Sequence, residues 1–196
     1  DFFIIDMRND YEFKVGHFKN SINAGLKNFR DLPEILPKLG EQHPEIATKK
    51  ILTVCTGGVR CEKASGFLKK KGFGEVYQLD GGMHKYMEAF PGNAQEGKPC
   101  EFRGALYTFD NRMTMDFVGE DISKREVIGR CQVCQVPTER YGHCANDACH
   151  LHLMICKGCA ENHIYVWCSP ECRDTGRVGV VHSADLGTAG AVITLA

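Results

Sequence analysis

Over the first ninety positions, apolar residues fall in short runs of two different kinds. Phe2-Phe3-Ile4-Ile5, closed by Asp6, is an unbroken apolar run, the pattern of a strand buried on both faces. Ile51-Leu52-Thr53-Val54 is a second apolar run, within a strand predicted over Lys50 to Cys55, and Val76 to Leu79 reads as a further strand. Between these runs the spacing becomes helical. Tyr11 to Gly16 predicts a short helix ended by glycine. Ser21 to Gly25 reads as a short strand, and Phe29 to Leu39 has helical spacing broken by prolines. Glu62 to Lys71 predicts a helix with Ala64, Phe67 and Leu68 on one face and Gly72 at its end. Asp80-Gly81-Gly82 is a turn into a last helix, Met83 to Phe90. Strands and helices in alternation predict an α/β domain with a parallel sheet covered by helices on both faces.

The pattern then changes. Residues 1–92 form the α/β domain, and 93–126 a connecting segment with a strand at Ala105 to Phe109. Residues 127–176 are a cysteine-rich module, and 177–196 a tail rich in Gly, Ala, Val and Thr, either a terminal strand or disordered. The 196 residues suffice for one α/β domain and a small second module. The net charge of -1 sets up no global field toward nucleic acid or membrane. No apolar stretch is long enough to span a bilayer, and the opening shows no basic-then-apolar leader. The chain opens without Met on what reads as a buried strand, so it is expected to be a fragment preceded by a further N-terminal domain.

Cys55 stands where the second run ends. The loop Thr56-Gly57-Gly58-Val59-Arg60 follows, then Cys61 and a helix. Ligands bind at the carboxyl edge of open parallel sheets. Glycines let such a loop bend so that backbone N–H groups face the sulfur, and the start of the next helix brings its positive end to the same place. Such surroundings lower a thiol pKa from about 8.5 and make a nucleophile at neutral pH. Arg60 either stabilises that thiolate or a substrate anion, or pairs with Asp6 or Glu12. Cys61 either resolves a persulfide or sulfenate or packs under its helix. Asp6, Arg8 and Glu12 read as structural. His17 and His84 are candidate proton carriers or surface groups.

Cys55-Thr56-Gly57-Gly58-Val59-Arg60 resembles the active-site loop of rhodanese domains. Asp6-Met7-Arg8, Tyr11-Glu12, Gly16-His17-Phe18, Ser21-Ile22 and Val76-Tyr77-Gln78-Leu79-Asp80-Gly81-Gly82 resemble other motifs of that family. The cysteine phosphatase loop is one residue longer, so phosphatase is disfavoured. The longer stretch Cys55 to Ser65, Gln78 to Tyr86, Phe109-Asp110-Asn111-Arg112, Cys144-Ala145-Asn146 and Cys168-Ser169-Pro170-Glu171-Cys172 is similar to the tRNA uridine hydroxylase family. That resemblance implies a rhodanese-like sheet and oxygen-dependent 5-hydroxylation of the wobble uridine in tRNA. It also implies Cys55 as active residue or persulfide carrier, and a small N-terminal α+β domain. The residues themselves show no flavin fingerprint and no two-His-one-carboxylate iron pattern. Sulfur transfer from a small donor through a Cys55 persulfide is the alternative chemistry, and a non-enzymatic zinc-bridged interaction module the other alternative. Lys49, Lys50, Arg60, Lys63, Lys69, Lys70 and Lys71 against the single acid Glu62 offer tRNA phosphates a basic stretch, or form a solvated helix face.

The chain has 11 cysteines, and eight fall in four close pairs: Cys131/Cys134, Cys144/Cys149, Cys156/Cys159 and Cys168/Cys172. This is metal-ligand spacing, enough for two closed tetrahedral zinc sites. Spacing leaves open whether adjacent or alternate pairs share an ion. His143, His150, His152 and His163 are candidate replacements for a cysteine. Closed sites supply folding energy rather than chemistry, so the module reads as a scaffold. Cys55, Cys61 and Cys100 remain, and the whole set suits a reducing cytosol.

Overall fold

The computed structural model describes residues 2–90, 94–95, 98–110, 112–116, 125–162, 165–176 and 192–194. The chain divides into two units, Asp1–Glu126 and Val127–Ala196. The first opens β1 (Phe2–Asp6), α1 (Asp10–Val15), β2 (Gly16–Phe18), β3 (Ile22–Asn23), α2 (Leu32–Gln42), β4 (Lys50–Val54), α3 (Val59–Lys70), β5 (Val76–Gln78) and α4 (Gly82–Ala89). The apolar runs become a parallel sheet in the order β3-β1-β4-β5. In the central pair Phe3 lies beside Ile51 and Asp6 beside Val54, so β1 and β4 end level with each other.

Strand alternation divides the apolar residues between two cores. Phe3, Ile5 and Ile51 join Leu36 and Leu39 of α2 and Ala64 and Leu68 of α3 on one face. Val54, with Ile4 and Leu52, joins Met83 and Met87 of α4 and Phe102 and Leu106 on the other. Helices therefore cover both faces.

Several boundaries differ from the pattern-based expectation. The prolines do not break α2: Pro33 lies in its first turn, where the missing N–H costs nothing, and Pro37 is held inside by buried Leu32, Leu36 and Leu39. Helix α3 begins at Val59, three residues before Glu62. Gly16 does not stop α1 with a left-handed turn. It is extended and enters β2, where a Cβ would lie 2.2 Å from the Ala105 carbonyl oxygen.

The unit continues with β6 (Ala94–Gln95), β7 (Lys98–Pro99), β8 (Phe102–Gly104), β9 (Leu106–Tyr107) and β10 (Thr114–Met115). Strand β8 was not visible as a pattern; it pairs antiparallel with β2, Phe18 opposite Phe102. The second unit contains β11 (Tyr141–His143), β12 (His152–Met154), α5 (Lys157–Asn162), β13 (Tyr165–Trp167), α6 (Pro170–Thr175) and β14 (Val192–Thr194). Its core is built from cysteines with Leu153, Ile155, Val166 and Trp167. In the tail, Val192–Thr194 is a strand parallel to β13. Among the described residues no helix is long and apolar enough to cross a membrane.

Candidate active site and metal clusters

Cys55 is the first residue after β4, at the carboxyl edge of the sheet. Gly58 turns the chain with φ +89 and caps α3. That turn brings the Gly58 N–H to 3.2 Å from the Cys55 sulfur, and the Cys61 N–H donates to the same atom. Val59, Arg60 and Cys61 thus form the first turn of α3 rather than free loop, and the helix presents two amides to one sulfur. Cys55 is 1% exposed, while Gly57 and Val59 of the same loop are exposed.

The Cys61 thiol donates to Cys55 and is the largest influence on it. Together with the Cys61 and Gly58 amides and the Arg60 charge, it outweighs burial and brings the Cys55 pKa down to about 6. Cys61 moves the other way: it keeps the proton it donates and is buried, so its pKa rises. The pair therefore resolves into one thiolate and one thiol.

Arg60 does not face the sulfur alone. Its guanidinium binds Glu12 twice, at 2.6 and 2.8 Å, and donates to Thr56 Oγ1 at 3.1 Å. Asp6 is taken instead by Arg8, 2.7 Å away, with both side chains fully buried. Arg8 also donates to the Gly16 carbonyl at 2.5 Å, which fixes the exit of β1. Of the two acids expected as partners for Arg60, the buried Glu12 is the one that anchors it. One contribution is less visible in the sequence. The start of α4 ties down the cysteine loop: Met83 N–H donates to the Cys55 carbonyl at 2.9 Å and His84 N–H to the Thr56 carbonyl at 3.0 Å. The turn Gly81-Gly82 carried the available signal, since Gly82 has φ +67 and a Cβ there would lie 2.6 Å from both those carbonyl oxygens.

In the second unit, Cys131, Cys134, Cys156 and Cys159 bring their sulfurs within 4.8 Å of one another, and Cys144, Cys149, Cys168 and Cys172 do the same. Alternate pairs therefore share a cluster, and the two clusters interleave along the chain. All eight are free thiols. Sulfur separations such as Cys134–Cys156 at 3.6 Å and Cys149–Cys168 at 3.7 Å are close to the value of about 3.8 Å across a tetrahedron with metal–sulfur bonds of about 2.3 Å. Both clusters fit a metal ion, and each has four cysteines without a histidine. Ser169 caps α6 by accepting from Cys172 N–H at 3.2 Å, with Pro170 in the first turn.

A rhodanese-like domain model matches residues 1–89, and a rhodanase C-terminal model matches residues 103–173. Residues 1–89 are thus a rhodanese-like domain. A tRNA uridine(34) hydroxylase of Cytophaga hutchinsonii is 40% identical over 173 residues, 88% of this chain and 51% of that protein. One from Citrobacter koseri is 43% identical over 161 residues, 82% of this chain and 43% of that protein. The chain spans about half the length of these relatives.

Other singled-out residues of the rhodanese domain lie away from the sulfur's hydrogen bonds. His17 stacks on Phe13 with ring centroids 4.0 Å apart and bonds its carbonyl at 2.9 Å. The exposed His84 side chain turns to Glu88, 3.5 Å away. Lys63, Lys69, Lys70 and Lys71 are exposed on or just after α3, whereas Lys50 pairs with Glu75 at 3.5 Å. His163 and Asn111 lie outside the described residues.

Proposed function

We propose that this chain carries the reactive centre of a tRNA uridine(34) hydroxylase, with Cys55 as its nucleophile or persulfide carrier. The observation that carries the reading is the Cys55 sulfur held by the Gly58 amide at 3.2 Å, with its pKa near 6. That lowered pKa favours the thiolate at pH 7. The 40% identity to a relative named for this reaction supplies the substrate: the wobble uridine of tRNA. Thr56 to Cys61 form the anion-binding loop. Arg60 acts there as a positioning residue, since its charge favours the thiolate while Glu12 and Thr56 hold it still. Exposed Lys63, Lys69, Lys70 and Lys71 offer contacts to tRNA phosphates.

The two thiolate clusters hold zinc. Four sulfurs each leave no open position, so the ions brace the module and take no part in the reaction. Eight reduced thiols beside a reactive one fit the cytoplasm.

Sulfur transfer is the second reading, and the same acidic thiol favours it. The Cys55 thiolate attacks the outer sulfur of a thiosulfate-like donor; the S–S bond to sulfite breaks, sulfite leaves with the electron pair, and Cys55 becomes a persulfide.

Nucleoside analysis of tRNA from cells carrying the full-length gene, a null, or Cys55→Ser tests both. Hydroxylation predicts that 5-hydroxyuridine falls in the null and equally in Cys55→Ser. Undiminished 5-hydroxyuridine in Cys55→Ser refutes the leading assignment. An added sulfur on Cys55 after thiosulfate treatment, with turnover on cyanide, supports transfer.

A further inference from the structure

The tip of the β9–β10 hairpin takes no part in the sulfur site. Its strands pair antiparallel, with Tyr107 opposite Thr114. Hydrogen bonds within the tip hold its shape: Thr108 N–H donates to the Met113 carbonyl at 2.9 Å, Met113 N–H to the Asp110 carbonyl at 3.0 Å, and Arg112 N–H to Asp110 Oδ1 at 3.0 Å. Phe109 stands out from this tip, 64% exposed, more than any other Phe, Tyr or Trp among the described residues. The ring is nevertheless anchored. It meets Tyr107 at 5.0 Å with planes at 78°, and the fully buried Tyr107 meets Tyr11 of α1 at 5.2 Å and 61°. Tyr11 precedes Glu12, the residue that holds Arg60 of the cysteine loop. Helix α1 follows the carboxyl end of β1, which is level with the end of β4 where Cys55 stands. This row of rings therefore leads from the sheet edge that carries the sulfur out to Phe109. The same tip carries Arg112, whose side chain is 62% exposed. Asp110 takes its Nε at 3.0 Å and one Nη at 2.5 Å, while the other Nη has only the Met115 sulfur at 3.7 Å.

We propose that Phe109 is a base-stacking platform for the single-stranded anticodon loop of tRNA, with Arg112 as its phosphate contact; this rests on the hydroxylase reading above. Unpaired RNA loops are recognised where splayed bases stack on aromatic rings, and stacking accepts any base because each has a π-face. Ordering a ring that is already anchored costs little on binding, which suits Phe109 to the task. Arg112 is likewise set in place by Asp110, with N–H groups left over for a phosphate oxygen. The platform holds a loop base other than the uridine that reaches Cys55, so it sets which stretch of RNA is presented to the sulfur.

The test measures binding of the full-length protein to an anticodon stem–loop RNA, by fluorescence anisotropy over a range of salt. Phe109→Ala should weaken binding on the order of tenfold. Phe109→Leu, which stays apolar but lacks the ring, should weaken it as well, and Phe109→Trp should bind like the wild type. Arg112→Gln should flatten the slope of log affinity against log salt by about 0.7. A blunt RNA duplex, which offers no unstacked base, should bind wild type and Phe109→Ala alike. Melting temperatures near that of the wild type report that the variants are folded. A wild type that does not bind the stem–loop, full affinity in Phe109→Ala or Phe109→Leu, or an unchanged salt slope in Arg112→Gln overturns the proposal; the first two are also the outcomes expected if Phe109 docks a protein instead. Failure here is distinct from failure of the hydroxylase reading, which is judged by 5-hydroxyuridine in Cys55→Ser cells and not by RNA affinity.

Discussion

Both carboxylate oxygens of Glu12 are bound by the guanidinium of Arg60, at 2.6 and 2.8 Å, across 48 positions of sequence. Glu12 is wholly buried in α1, and Arg60 lies in the first turn of the cysteine helix. The pair is what fastens α3, and with it the amides that face Cys55, to the exit of β1. Glu12→Gln leaves the Arg60 charge enclosed without its counter-ion. The expected loss is about 3 kcal/mol, read as a lower denaturation midpoint at unchanged slope. Adding Arg60→Gln should recover part of that loss, because the stranded charge is gone. Strictly additive losses would mean that the two side chains do not act as a pair.

Cys61 is the donor that most lowers the Cys55 pKa, so its replacement should move the reactivity of another residue. Cys61→Ala removes the donor and should shift the pH midpoint for alkylation of Cys55 upward from about 6. Cys61→Ser keeps a donor and should stay near the wild type. Site-resolved mass spectrometry after brief alkylation across pH separates Cys55 from the other thiols. The stability effect has a definite sign. Between pH 6 and the ordinary thiol value of about 8.5, the unfolded chain holds the Cys55 proton and the folded chain does not. The Cys55 contribution therefore grows as pH rises through that window and is lost as pH falls through 6. Cys61, kept protonated by folding, opposes this only above the ordinary thiol range. Identical profiles for the Ala and Ser variants would remove Cys61 from this role.

Two glycines near the sulfur should respond oppositely to a methyl group. At Gly82 an added Cβ meets the Cys55 and Thr56 carbonyl oxygens at 2.6 Å and the Gly58 nitrogen at 2.8 Å, at φ +67. Gly82→Ala must push the loop off the start of α4, costing on the order of 1–3 kcal/mol for the strained backbone alone. At Gly57 nothing lies within 4 Å of a built Cβ. Gly57→Ala should melt within a degree or two of the wild type. Equal melting temperatures for the two variants would contradict the packing of α4 on the cysteine loop.

Much of this arrangement was legible in local pattern, and the failures have physical causes. Apolar runs marked β1 and β4 because both of their faces pack against cores, whereas β5 lies at the sheet edge with Tyr77 45% exposed. Cys55 stood out because strand, glycine loop and helix are contiguous. Helix α3 was begun too late because Val59 and Arg60 carry no capping signal and Val59 is exposed, 69% of its surface facing solvent. Arg60 had two acidic candidates, Asp6 and Glu12, and only tertiary geometry gives Asp6 to Arg8 and leaves Glu12 for Arg60. Strand β8 has no periodicity of its own, since it is defined by its pairing with β2. Spacing identified eight metal-type cysteines but could not pair them, because interleaving is a property of the fold rather than of any segment.

That interleaving governs how the second unit comes apart. Every segment between adjacent cysteine pairs runs from one cluster to the other, so neither cluster can close alone without constraining its neighbour. Metal removal should therefore be cooperative, with both ions lost in one transition instead of two. The chain has one tryptophan, Trp167, which is 4% exposed and packs among the cysteines beside Cys168. Its emission reports this unit and no other. Titration with a strong chelator of the metal-loaded chain should red-shift that emission in a single step, coincident with release of two equivalents of metal, and Cys131→Ser should lower the chelator concentration needed to release the ion held by Cys144, Cys149, Cys168 and Cys172. Two separated release steps, or unchanged retention of that second ion in Cys131→Ser, would show that the clusters fold independently despite their shared segments.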